Sequence, residues 1–357
     1  MKIRPAGLSD YPAIAEVTRR NGIPPRSREK WEYLWTEFPL RERFADLPIG
    51  WVLEDDAGQI AGTLSNVYSA YEWNGRPLRG AIAGNWAVDE KHRGSSLGLS
   101  AKFFSQPADV LINGSLSRVA AQLMPFFKAS RVPSPGFDRH FLWVADHTAF
   151  ANSVLRQKAA PAAGILMYPA GLALWLRDFL FRSGQGRQSP DIVHLDSFDE
   201  RFDTFWDQLR RQPDRLLAVR SRPMLAWRFK YQLAENQLRI LALHKHGQMS
   251  GYVILARVHR ENLALRQYRI IDLQVLEENE ESVRQLLLAA IRLTRVEGLH
   301  LLEWIGFNER KRSAAKRLHP LEYRNPVWQF YYKAANRELA APLGNPNSWD
   351  VCPLDRD

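Results

Sequence analysis

Residues 86–100 read Trp86-Ala87-Val88-Asp89-Glu90-Lys91-His92-Arg93-Gly94-Ser95-Ser96-Leu97-Gly98-Leu99-Ser100. An apolar strand ends in a charged turn, passes through a run of small residues and enters a helix. Small residues let a backbone approach a ligand closely, and successive N–H groups ahead of a helix N-terminus suit a pyrophosphate. Lys91, His92 and Arg93 add positive potential beside that loop. A plain strand-to-helix connection uses the same residue types, so the surrounding sequence has to decide between the two. His92 in particular reads as a solvent-facing turn residue.

Upstream, Asp10 can cap a helix carrying Pro12 in its first turn, with Ile14 and Val17 on one face. Gly58-Gln59-Ile60-Ala61-Gly62, between Trp51-Val52-Leu53 and Thr63-Leu64, reads as a strand, a glycine turn and a returning strand. Asn74-Gly75 is a strong hairpin signal into the run Ala81 to Val88. Downstream come a strand at Val110-Leu111-Ile112 ahead of Asn113-Gly114, a helix around Ala120 to Leu123, and a strand at Phe141 to Val144.

Much of this recurs. Gly247-Gln248-Met249-Ser250-Gly251 lies 189 residues after its counterpart, Trp35 and Trp227 are 192 apart, Gly114 and Gly306 are 192 apart, and Val88 and Val275 are 187 apart. Four pairs in one order predict duplication. The expected architecture is α/β (α+β): residues 1–150 as one unit, 151–190 as an apolar segment and linker, 191–335 as a second unit, and 336–357 as a C-terminal tail. Each unit is a mixed, mostly antiparallel sheet flanked by helices. Within the connection, Ala159 to Leu176 carries no charge, and Pro161, Gly164, Pro169 and Gly171 are expected to interrupt it as a helix. It reads as an interdomain or surface-docking segment, with peripheral membrane contact as one use. Residues 183–190, rich in Ser, Gly and Gln, read as a flexible linker.

On these residues the chain resembles the GNAT superfamily of acyl-CoA-dependent acyltransferases. That family's phosphate loop, Gln/Arg-x-x-Gly-x-Gly/Ala after a strand, is matched by Arg93-Gly94-Ser95-Ser96-Leu97-Gly98. The resemblance covers 1 to about 150 with the motif and about 191 to 335 by topology, and the tandem layout looks like two-lobed acyltransferase-like proteins of bacterial polysaccharide loci. It implies acetyl-CoA or another acyl-CoA as donor. The backbone of Trp86, Ala87 and Val88 would pair with the pantetheine arm, Arg93 to Gly98 would hold the pyrophosphate, and a small-molecule amine, such as an amino sugar, would attack the thioester. Trp35, Tyr71 and Asn113 are the candidates for the acceptor side, against a core reading for the aromatics and a turn-forming reading for Asn113.

Two departures stand out. Ser96 replaces a loop glycine, and Leu123-Met124-Pro125-Phe126-Phe127-Lys128 offers no tyrosine where the family often places its general acid. In the second half Val275-Leu276-Glu277-Glu278-Asn279-Glu280-Glu281 replaces the loop, and its acids would repel a pyrophosphate. The sequence therefore leaves two other readings open: an aminoacyl-tRNA-dependent transferase of the same fold, and a non-catalytic acyltransferase-like binding protein.

The composition fits these readings. A single cysteine, Cys352, excludes an internal disulfide framework and a Cys-based zinc site, and no metal is expected. A cytoplasmic setting follows from that cysteine usage and from an amino terminus without an export pattern. Lys+Arg 49 against Asp+Glu 39 gives a net charge of +10, which suits an anionic partner. The cluster Arg310-Lys311-Arg312, Lys316 and Arg317 could meet phosphates of tRNA or lipid, or form a solvated helix face. Asp272 and Glu303, set in apolar strands, need partners, with arginines the expected ones.

Overall fold

The computed structural model describes residues 1–357 apart from 115, 117, 135–137, 158–162, 183–190, 326–328 and 356–357, so the expected linker at 183–190 lies outside the described residues. Two sheets, mostly antiparallel and flanked by helices, carry the chain. In the first, β1 (Lys2–Pro5), β2 (Gly50–Glu54), β3 (Ile60–Trp73), β4 (Arg76–Val88) and β5 (Val110–Asn113) lie in sequence order, with β6 (Ser130–Arg131) at the far edge. In the second, β8 (Ile192–Leu195), β10 (Leu238–Lys245), β11 (Gln248–Arg260), β12 (Leu265–Val275) and β13 (Leu301–Trp304) repeat that order, with β14 (Leu321–Arg324) at the far edge. The hairpin turns repeat too. Asn74 and Gly75 have φ of 50° and 76°, and His246 and Gly247 have 51° and 77°, the left-handed pair that joins twisted strands by two residues.

The remaining place in each sheet is filled by exchange. β15 (Tyr331–Ala334) enters the first sheet between β5 and β6, and β7 (Arg139–Val144) enters the second between β13 and β14. Segments 1–150 and 191–335 therefore do not each build their own sheet. β9 (Leu216–Ala218), from the second half, also pairs with β3. Its residues alternate between the two cores, Leu216 and Ala218 into the first and Leu217 into the second, and the helix Arg222–Ala234 divides Met224 and Trp227 from Leu225 and Phe229 in the same way. Elements wedged between two cores are apolar on both faces, which makes the boundary between the halves a continuous hydrophobic contact.

The central parallel pairs open into wedges. β4 and β5 share register only from Gly80↔Val110 to Ile82↔Ile112. Farther along β4, two residues, Asn85 and Trp86, oppose Leu64 alone, and Asn85 sits at φ 45°. Such a bulge bends its strand and increases its twist, so β4 turns away from β5. In the second sheet β12 and β13 share register from Gln267↔Leu301 to Arg269↔Glu303, and Ile271 is the extra residue between Leu255↔Ile270 and Ile254↔Asp272.

The second wedge is filled by the chain itself. Lys311, on the helix Glu309–Lys316, donates Nζ to the Leu273 carbonyl at 2.7 Å and to Gln274 Oε1 at 3.0 Å, and pairs with Asp350. Arg215 reaches the same carboxylate at 3.0 Å, and Phe307 N–H donates to the Val351 carbonyl at 2.6 Å. The described part of the expected C-terminal tail packs onto the rest of the protein: a helix at Arg337–Leu343 precedes buried Trp349, Val351 and Cys352. Burial alone would raise the Asp350 carboxyl, but Lys311 and Arg215 outweigh it and hold it well below the usual range. Lys311 and Arg312 are thus buried rather than displayed on a helix face. Arg312 lies 4.2 Å from the Phe141 ring centroid and donates to the Arg139 carbonyl at 3.0 Å. Lys316 and Arg317 stay exposed and pair with Glu309 and Glu280.

Asp272 and Glu303 pair with arginines, as expected from their apolar surroundings. Asp272 accepts from Arg220 Nε at 2.8 Å and Tyr252 Oη at 2.7 Å, and Glu303 from Arg260 at 2.9 Å, Arg269 at 2.7 Å and Gln267 at 2.6 Å. The segment expected to be broken by proline and glycine is instead one helix, Ala163–Arg182, running through Pro169 and Gly171. Packing against the helix His147–Gln157 supplies what Pro169 withholds, and Gly171 sits where a Cβ would lie 3.1 Å from Thr148.

Two stability measurements follow. Asp350→Ala leaves Lys311 and Arg215 buried without their carboxylate and is expected to cost about 3–5 kcal/mol in urea unfolding, whereas Asp350→Leu combined with Lys311→Met and Arg215→Met recovers most of it; equal losses would mean the ion cluster does not hold these residues. Burial alone would raise Glu303, but the His140 hydrogen bond and the charges of Arg269 and Arg260 lower it from 4.5 to about 2. Because the folded value is the lower one, its stabilisation is fully present above about pH 4.5 and is lost as pH falls toward 2. Glu303→Gln should therefore cost on the order of 3 kcal/mol at neutral pH, with the gap closing on acidification; a pH-independent gap contradicts the assignment.

Candidate functional site

The first wedge has no such plug among the described residues. Past Ile82 the strand β4 pairs with β3 alone, so the far edge of Gly84 to Val88 presents backbone donors and acceptors without a ladder partner. Trp86 is half-buried there, and Ala87 and Val88 are buried. An extended chain of a ligand can complete such an edge as an added strand would.

The turn that follows is anchored. Asp89 N–H donates to the Ala61 carbonyl at 2.9 Å, and its carboxylate receives Arg20 Nη2 at 2.7 Å and Asn21 Nδ2 at 3.3 Å. This ties the loop to the C-terminal end of the helix Tyr11–Arg20. From there the chain departs from an open cradle of amides. Glu90–Ser95 forms a 3-10 turn that runs directly into the helix Ser96–Phe104. His92 N–H bonds the Asp89 carbonyl at 2.8 Å, and Ser96 N–H bonds the Arg93 carbonyl. The cause is local: Ser96, with φ −61° and ψ −30°, takes the ordinary helical conformation where a glycine could have opened the chain. A turn of this kind leaves only its first amides, those of Glu90 and Lys91, without an acceptor of its own.

Side chains and space compensate in part. Arg93 is exposed, with Glu90 at 3.9 Å, and Lys91 is exposed beside it. A Cβ at Gly94 would meet nothing within 4 Å, so the loop is open at that point. A Cβ at Gly98 would lie 2.5 Å from Ile3 Cδ1, so this glycine serves helix packing. His92 is half-buried rather than solvent-facing, and its Nε2 is buried with no hydrogen-bond partner among the described residues. A buried nitrogen in that state is costly unless a ligand or water satisfies it. The open edge of β4, the room at Gly94 and the exposed Lys91 and Arg93 together leave space and positive charge that fit a phosphate-bearing, extended ligand.

The three acceptor candidates do not line one cleft. Trp35 is a core residue, 5% exposed, with its indole N–H on the Asn66 carbonyl at 2.8 Å and its ring against Trp31. Tyr71 is 2% exposed and its ring lies where a Cβ of Gly80 would be; burial pushes its hydroxyl well above the ordinary range. Asn113 closes β5 at the wedge, buried opposite Tyr331. That half-buried tyrosine is carried in on the exchanged strand, with its hydroxyl 3.5 Å from Gln329 Oε1. Leu123 to Lys128 form a turn with Phe126 exposed and Phe127 stacked on Phe104 at 5.4 Å. Nothing in the spacing of the first half signals Tyr331, because the residue lies in the second half.

No family profile and no curated protein matches the chain. Solved structures do. A GCN5-related N-acetyltransferase from Anabaena variabilis ATCC 29413 aligns over 94% of this chain and 73% of its own, with TM-score 0.56 and 11% identity. A conserved protein of unknown function from Enterococcus faecalis V583, titled "Probable N-Acyltransferase", aligns over 93% of this chain and 72% of its own, with TM-score 0.57 and 11% identity. At such identity the likeness concerns the backbone, and the chain has the mixed α/β fold of the GCN5-related N-acetyltransferases.

Proposed function

We propose that this protein is an acyl-CoA-dependent N-acyltransferase whose donor lies in the wedge between β4 and β5. The observation that carries the reading is the unpaired edge of Gly84 to Val88, opened by the bulge at Asn85 and leading straight to Lys91, Arg93 and the room at Gly94. The pantetheine amides add to that edge, with Trp86, Ala87 and Val88 in contact. The pyrophosphate meets Lys91, Arg93 and the first amides of the turn, while Ser95 and Ser96 give shape more than donors. Leu97 is exposed on the rim. Acetyl-CoA is the simplest donor, and an amine, an amino sugar of surface-polysaccharide synthesis among them, the acceptor.

In the reaction the amine nitrogen attacks the thioester carbonyl, the C–N bond forms, the C–S bond breaks, and the amine proton leaves through water. Free backbone N–H groups on the β4 edge stabilise the oxyanion. We assign delivery of a proton to the departing thiolate to Tyr331, beside Asn113 at the end of β5. Because most of the rate enhancement in such a transfer comes from positioning, the open wedge matters more than any one side chain. A transferase acting on aminoacyl-tRNA is disfavoured by the burial of Lys311 and Arg312. The non-catalytic reading draws support from one feature, the closed 3-10 turn at Glu90–Ser95.

Calorimetric titration with acetyl-CoA and longer acyl-CoAs tests the donor site. Arg93→Ala with Gly94→Asp, which places a carboxylate in open space without a steric clash, should weaken binding by about tenfold or more. Gly98→Ala, in contrast, should lower the thermal midpoint through Ile3. Unchanged affinity in the double variant, or no binding heat with the wild type, refutes the site. Tyr331→Phe should leave acetyl-CoA affinity intact and lower thiol release with an accepted amine by about a hundredfold; undiminished turnover removes Tyr331 from the reaction, and binding without thiol release across an amine panel favours the non-catalytic protein.

A further inference from the structure

The helix Ala163–Arg182 is built inside out. Its inward face, against the helix His147–Gln157, carries Gly171, Arg177 and Asp178. Asp178 accepts from His147 Nε2 at 2.9 Å and Arg177 Nη1 at 2.8 Å, and Arg177 Nη2 donates to the carbonyls of His319 and Pro320 at 2.9 and 3.0 Å. Its outward face carries Ile165, Tyr168, Leu172, Trp175, Phe179 and Leu180, with Ile165 76% and Leu180 71% exposed. At 100° per residue these outward positions span an arc of about 140° that holds no charged side chain. A helix on the surface of a protein in water shows the opposite arrangement, large apolar side chains inward and charges outward. Small residues toward a neighbouring helix, charges turned inward and large apolar groups outward is the arrangement of a helix that faces lipid.

We propose that this helix seats in the interfacial layer of an anionic lipid bilayer. Twenty residues make a rod of about 30 Å, and only 11% of 164–181 is buried by the rest of the protein. The helix lies along the membrane rather than across it. Its partner helix runs beside it carrying Asn152, Ser153 and exposed Arg156, which a spanning arrangement would draw into hydrocarbon. Tyr168 and Trp175 belong to the residue types that settle at the headgroup level. The lipid is chosen over a second copy of the chain on charge. The net charge of +10, with Arg156 exposed on the neighbouring helix and bonded, among the described residues, only to the neutral Asn152 amide, complements anionic headgroups.

Vesicle flotation of the full chain tests this, with phosphatidylcholine vesicles containing about one-third phosphatidylglycerol compared with phosphatidylcholine alone. The wild type should float with the anionic vesicles and several-fold less with the neutral ones. Leu172→Gln/Trp175→Gln/Leu176→Gln should lower the bound fraction about tenfold or more while keeping the wild-type circular dichroism and thermal midpoint. If that triple variant does not fold, Leu180→Glu alone, at a position 71% exposed, serves the same purpose. Absence of wild-type flotation, equal flotation with and without phosphatidylglycerol, or full binding by a folded variant overturns the proposal. So does a wild-type dimer that the variants convert to monomer without any vesicle binding, since a second copy would then cover the face.

Discussion

Two parallel strands keep their hydrogen bonds only while their twists match, and one extra residue in either strand ends the match. That constraint operates twice here. Asn85 bulges three residues after the last β4–β5 pair, and Ile271 bulges two residues after the last β12–β13 pair. Each bulge opens a wedge in the middle of a sheet, where unpaired backbone would be a liability unless something occupies it. The two wedges meet this differently. In the second, Lys311 and the strand-like approach of Val351 and Asp350 satisfy the backbone from within the chain. In the first, no described residue occupies the edge, and the proposed donor would complete it. The two sheets thus carry one wedge closed by the chain and one left open among the described residues.

The exchange of β7 and β15 follows from the same geometry. Each wedge ends beside the fifth strand, and the strand on that strand's other side comes from the opposite half. Neither half therefore completes its sheet alone, and the C-terminal residues that plug the second wedge are delivered there after β15 has been placed in the first sheet. With β9 and the helix Arg222–Ala234 feeding both cores, the molecule is one cooperative body. A ligand in the first wedge would touch residues from both ends of the sequence, Trp86 and Tyr331 among them.

The hairpins around Gly58, Asn74-Gly75 and Gly247 were legible in the sequence because turn chemistry is local: those positions need left-handed backbone, and glycine or asparagine supplies it. The matching strand order of the two sheets was legible for the same reason, since turns and strand ends recur at a nearly constant offset. The exchange was not, because β6 with β7, and β14 with β15, look like ordinary neighbours whichever sheet each strand joins. Lys311 and Arg312 read as a polar face because a helix period carries no information about a carboxylate arriving from residue 350. The helix through Pro169 was missed because its stability comes from the helix beside it. Of the loop read at 93–98, the strand–turn–helix order and the exposed Lys91 and Arg93 are found in the structure, while Glu90–Ser95 closes as a 3-10 turn in place of the expected open amides.

The central claim is that one wedge is open to an acyl-CoA and the other is closed by the chain. Amide hydrogen exchange of the full protein, with and without saturating acetyl-CoA, tests it most directly. The account predicts slowed exchange across residues 84–94 and no change across 271–275. Unchanged exchange at 84–94, or protection appearing at 271–275 instead, would contradict it.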